Sequence, residues 1–115
     1  MENESVLHQK FCTSRQERVR LELALRGFFQ EETEETHRLE YAQYLKRRIR
    51  PAAEALIASE DWEHLQSLEA LVWLDAAVVE DCLKTAVRLK KTQAFLWLLD
   101  VKAKKYGFPD KSFDL

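Results

Sequence analysis

Two stretches of the chain place a carboxylate three residues before a histidine: Glu34-Glu35-Thr36-His37 and Asp61-Trp62-Glu63-His64. On a helix that spacing presents an oxygen and a nitrogen ligand on one face, which is how helical bundles hold a di-metal centre. Such a centre also needs glutamates projecting inward from two further helices. Both stretches here fall at polar helix starts, where the helix dipole favours acids in any case, so no residue is assigned as a metal ligand. Cys82 beside His37 or His64 would supply a nucleophile and a base, because thiolate formation needs a base or cation next to the sulfur. Cys82, however, belongs to the apolar series Val79, Cys82, Leu83, Ala86, Leu89, and a core thiol is the expectation. Cys12 and Cys82 form no CxxC pair and imply neither a zinc framework nor a disulfide, so both read as reduced thiols. No phosphate loop, HExxH or GxSxG occurs. Two glycines in the whole chain leave little backbone for a phosphate cradle or an oxyanion loop. The reading is of a chain that is not an enzyme and carries no cofactor.

Binding is the better lead. The one basic cluster, Lys46-Arg47-Arg48-Ile49-Arg50, follows Tyr41 and Tyr44 and offers possible phosphate contacts at Lys46, Arg47, Arg48 and Arg50. A solvated helix end explains the same cations, which complement the negative C-terminal dipole. The net charge of −2 and pI near 5.9 provide no overall basic field, which argues against nucleic acid as the partner. Three Trp in 115 residues favour a protein partner, since aromatic side chains dominate interface energetics. Trp73 is the leading contact candidate because it stands in the apolar run Leu71-Val72-Trp73-Leu74 at a helix end; Trp97, Phe95 and Trp62 follow.

These residues need helices to position them. Hydrophobic residues are 46% of the chain and charged residues 33%, with two Gly and two Pro, a composition rich in helix formers and poor in turn formers. Thr13 with Gln16, or Ser14 with Glu17, has capping-box spacing and predicts a helix start there; residues 1–12 read as a frayed turn or a short docking helix. The run Glu31-Glu32-Thr33-Glu34-Glu35 predicts a loop and the acidic first turn of a helix capped by Thr33. Pro51 predicts a bend or a new helix start. Asp61, Asp75 and Thr92 are the caps expected for the helices that follow, and Gly107 with Pro109 is the expected stop of the last one. Its opening, Ala94-Phe95-Leu96-Trp97-Leu98-Leu99, is apolar all round and must be covered on several sides.

An internal match lies at an offset of 31 residues: Ala55, Asp61, Leu65 and Leu68 fall on Ala86, Thr92, Leu96 and Leu99. A period in the low thirties is that of stacked helix pairs. The stretch Ala86-Val87-Arg88-Leu89-Lys90-Lys91-Thr92-Gln93-Ala94-Phe95-Leu96-Trp97-Leu98-Leu99 resembles the helix–turn–helix of ankyrin-type repeats, although the Thr-Pro-Leu-His opening and the Gly/Asp-rich hairpin of that family are missing. The resemblance spans residues 51–106 and implies protein binding through a repeat surface. The expected architecture is one all-α domain of five to six helices stacked as antiparallel pairs, ankyrin-like or a generic α-solenoid fragment. Residues 1–50 would cap it, residues 51–106 would form two helix-pair repeats, and residues 107–115 an extended tail. Two units are fewer than the ~3 that stability usually requires, so the N-terminal helices close the stack or a second copy does, as in a homodimer. The acidic start and the short apolar runs predict a cytoplasmic protein with no membrane segment.

Overall fold

The computed structural model describes residues 3–106, and every regular element among them is helical: seven α-helices followed by one π-helical turn. The expected stop at Gly107 and Pro109 and the tail lie outside the described residues. No described helix is long and apolar enough to cross a membrane. By its internal contacts the chain divides into two units, Met1–Ala52 and Ala53–Leu115.

In the first unit, α1 (Glu4–Thr13) starts where the Asn3 side chain accepts the Val6 N–H at 2.8 Å, so of the two expectations for this segment it is the short helix that forms, with Leu7 and Phe11 buried. The expected capping box does not form. Thr13 is the last residue of α1 and its hydroxyl donates to the Gln9 carbonyl, while α2 (Glu17–Phe29) opens at Gln16 without a side-chain cap. The acidic run is the loop before α3 (Glu35–Arg47), but Thr33 caps nothing: its buried hydroxyl donates to the Gly27 carbonyl at 2.5 Å. Arg38 reaches back from α3 and donates to the carbonyls of Phe28, Gln30 and Thr33, which satisfies the open C-terminal end of α2. The core beneath is Leu7, Phe11, Leu21, Leu23, Ala24, Tyr41, Tyr44 and Leu45. Gly27 is required by packing, because a Cβ there would enter the space of the Tyr41 ring.

The chain breaks at Arg48 (φ −124°, ψ 40°) and resumes as α4 (Ile49–Ala58), with Pro51 in the first turn, where its missing N–H is no loss. This break and the presence of α1 raise the count above the expected five to six. The second unit continues with α5 (Trp62–Ala70), α6 (Ala76–Arg88), α7 (Thr92–Val101) and the π turn (Lys102–Tyr106). Asp61 and Asp75 do cap, accepting the N–H groups of His64 at 3.3 Å and Val78 at 2.9 Å. Thr92 does not; it is the first residue of α7, which starts at Lys91 with no side-chain cap bond.

Three helices of this unit end in one way. Glu60, Val72 and Lys90 have φ of 60°, 62° and 59°, and the next residue donates back five positions: Asp61 to Leu56, Trp73 to Leu68, Lys91 to Ala86. This is the Schellman closure, usually made with Gly. The α4–α5 and α6–α7 turns are superposable in pattern at an offset of thirty residues, Glu60 matching Lys90. The offset of 31 pairs unlike environments: Leu65 is 1% exposed and Leu96 59%. At thirty, Ala53, Leu56 and Leu68 meet Leu83, Ala86 and Leu98, all buried. Separation by 31 appears instead as contact, in the bonds Trp62–Gln93, Thr85–Glu54 and Lys91–Glu60.

Two substitutions test these constraints. Gly27→Ala adds a Cβ against Tyr41; overpacking of about 1–3 kcal/mol outweighs the up to about 1 kcal/mol of helix propensity gained, so the urea midpoint by circular dichroism falls. Val72 is β-branched, 71% exposed and left-handed, and Val72→Gly raises stability by about 1 kcal/mol. All three tryptophans lie in the second unit, so their fluorescence reports that gain.

Candidate functional site

The second unit contains an open apolar groove of about 340 Å³ lined by Trp62, Leu65 and Gln66 of α5 and by Gln93, Ala94, Leu96 and Trp97 of α7. Helical periodicity sets it up. Leu65 and Ala94 are each 1% exposed and form the floor, while Leu96, two residues before the buried Leu98 and so turned to the other side of the helix, stands 59% exposed at the rim. The Trp62 indole N–H donates to Gln93 Oε1 at 3.1 Å, which fixes one wall. No charged side chain lines the groove. Of the expected contact residues, Trp62 and Trp97 are brought together here and Phe95 is half-buried outside the lining. Trp73 is half-buried in the α5–α6 turn, beside Leu71 at 46% and Val72 at 71% exposure. Gln66 and Gln93, which shape the groove, were missed because an amide on a polar helix face carries no sequence signal.

The π turn is tied into this unit by three polar contacts. Tyr106 donates to the Leu74 carbonyl at 2.6 Å, Lys102 pairs with Glu80 at 2.7 Å, and Lys105 pairs with Glu69. Cys82 is core, 1% exposed, and His64 is bonded to its own cap Asp61 at 2.8 Å. Neither belongs to a cluster of ligand-type side chains among the described residues.

His37 does, in the first unit. Glu4, His8 and Cys12 recur every four residues and occupy one face of α1, opposite His37, Glu40 and Tyr41 of α3. The His8 and His37 rings stack at 3.5 Å between centroids with 7° between planes. His8 Nε2 lies 2.7 Å from Glu40 Oε2 and 3.6 Å from Cys12 Sγ; His37 Nδ1 is bonded to Glu4, and its Nε2 lies 3.6 Å from Glu34 Oε2. The His37 bond holds the Glu4 carboxyl below its ordinary value, and the same bond raises the imidazole. Burial, then the Glu40 charge, raises the Cys12 thiol. Tyr41 is 0% exposed and its hydroxyl has no partner; burial first, then the charges of Glu4, Cys12 and Glu40, push it to about 12. Only Glu34 and His37 were legible as ligands in the sequence. His8-x-x-x-Cys12 has one-face helical spacing, but that signal is visible only once residues 4–13 are known to be helical.

The basic cluster is partly spent on structure. Arg48 donates to Glu17 at 2.7 Å and lies over the Tyr44 ring at 4.2 Å; Lys46, Arg47 and Arg50 are exposed on α3 and α4. Compared with known proteins, the chain matches no family model, no curated sequence and no solved structure.

The His37–Glu4 pair has a definite pH signature. A raised imidazole stabilises the fold once protonated, below its unfolded value, and that contribution is lost as pH rises through the folded value; the lowered carboxyl contributes above its unfolded value and is lost as pH falls through its folded one. The groups facing the pair are His8 and Cys12 from α1, Glu40 from α3 and Glu34, which immediately precedes α3. Wild type should therefore gain stability over His37→Asn as pH falls below neutral and lose the difference again in strong acid. Urea titrations of both proteins across pH, in chelator, measure it; a parallel pair of curves refutes it.

Proposed function

We propose that the chain is a non-enzymatic protein-interaction module whose second unit, read as an ankyrin-like or generic α-solenoid stack of helix pairs, takes the apolar face of a partner's amphipathic helix into the α5/α7 groove. The observation that carries this reading is the lining. Two indoles, two leucines, an alanine and two glutamine amides meet a ligand with no titratable or nucleophilic group among them, so the groove has the means to bind and none to react.

The size supports the same occupant. At about 340 Å³ the groove is near the small end of ligand pockets, roughly 300–1,000 Å³, and suits one or two large side chains projected from a helix lying between two others. The Trp62–Gln93 bond holds a wall in place before binding, which reduces the ordering cost of association. The repeated turn geometry at thirty residues and the bonds at 31 support the stacked-pair reading, because equivalent positions become neighbours when one pair packs on the next.

The test is selection of helical peptides with leucine or phenylalanine stripes from a displayed library against the full chain, followed by affinity comparison. Leu96→Asp and Trp97→Ala should each weaken the selected peptides about tenfold or more. Val87→Asp, on an exposed position of α6 outside the lining, should change nothing. Peptides that bind Leu96→Asp as tightly as wild type overturn the site. A dimer in light scattering that dissociates in Leu96→Asp overturns the choice of occupant and makes it a second copy.

A further inference from the structure

We propose that His8, Cys12 and Glu40 form a binding site for a divalent transition-metal ion of the zinc class. The inference concerns the first unit and does not rest on the groove.

One nitrogen, one sulfur and one oxygen donor, from two helices, have their ligand atoms all within 4.8 Å of one another. The donor set selects the metal. A thiolate and an imidazole favour zinc or cobalt(II) over magnesium or calcium, which require oxygen cages. Zinc–sulfur and zinc–nitrogen bonds of about 2.3 and 2.0–2.1 Å in a tetrahedron put sulfur and nitrogen about 3.5 Å apart. Cys12 Sγ stands 3.6 Å from His8 Nε2, so that edge of the tetrahedron is already formed. The His8 Nε2–Glu40 Oε2 edge, 2.7 Å, is shorter than the roughly 3.4 Å of a tetrahedral edge because a proton bridges it. Glu40 is 48% exposed and can swing outward by that difference.

The surroundings accept a cation. Glu4, Glu34 and Glu40 gather around two imidazoles and a thiol; the cation that faces Cys12 is Arg20, which is held over the Phe11 and Tyr44 rings at 4.7 and 4.8 Å. The stacked His37 ring, itself anchored by Glu4, restricts the plane of the His8 ring. Cys12 and Glu40 are exposed, so an ion enters from solvent. Three protein ligands leave a fourth position for water or an exogenous ligand. Binding releases the thiol proton to solvent and moves the His8 ring proton from Nε2 to Nδ1, so the ligand is a neutral imidazole and no redox change occurs.

The experiment is titration of the reduced, metal-free full chain with cobalt(II). Expected are ligand-field absorption and a near-ultraviolet thiolate-to-cobalt band that saturate at one ion per chain. Cys12→Ser should abolish the charge-transfer band and Cys82→Ser should keep it, since Cys82 is in the core of the other unit. Glu40→Gln should weaken binding about tenfold or more, with far-ultraviolet circular dichroism establishing that each variant is folded. No absorption at stoichiometric cobalt, or a band that survives Cys12→Ser, overturns the assignment.

Discussion

Helices of nine to thirteen residues do not persist singly in water, where about 12–15 residues are marginal even for alanine-rich sequences. Every helix in this chain therefore depends on the stripe it buries. The stripes are narrow and regular: Leu7 and Phe11 on α1; Tyr41, Tyr44 and Leu45 on α3; Leu65 and Leu68 on α5; Val78, Val79, Cys82 and Ala86 on α6; Ala94, Leu98 and Val101 on α7. Close approach is the second half of this constraint. Tyr41 can be wholly buried only because Gly27 has no side chain where the ring lies, and Thr33 and Arg38 then close the carbonyl end of α2 around the same residue.

The two units use their polar groups differently. In the first, acids, imidazoles and a thiol from α1 and α3 are gathered into one bonded cluster beside a buried, unpartnered phenol. In the second, charges pair one by one along helix surfaces, as in Lys91–Glu60 and Lys102–Glu80, and an apolar groove is left between. A cluster of exchangeable ligands is chemistry suited to an ion. A lining of indole, leucine and glutamine is suited to a hydrophobic anchor.

The turns show how far pattern matching carries. An offset of 31 aligns Asp61 with Thr92 because both are capping residue types. The corresponding turn positions are Asp61 and Lys91, and Lys91 opens α7 with no side-chain cap at all. Schellman closure is a backbone arrangement, and with glutamate, valine and lysine holding the left-handed position in place of glycine it leaves almost no trace in residue type. The repeating element is the turn and the buried face, not the letters.

By itself the sequence determined the helical class, the caps at Asp61 and Asp75, the core position of Cys82, and the loop at the acidic run, because each follows from local periodicity or from a side chain reaching a backbone group a few residues away. Tertiary structure decided what distance along the chain conceals. It placed His8, Cys12 and Glu40 within one ion's reach, turned Thr33 and Thr13 from caps into back-bonding hydroxyls, and split the expected apolar run of α7 into a buried Leu98 and an exposed Leu96. For the His8, Cys12 and Glu40 cluster and for the two faces of α7 the physical reason is the same: a side chain's partner across a helix pair depends on the axial register of the two helices, and register is set by packing that no single helix encodes.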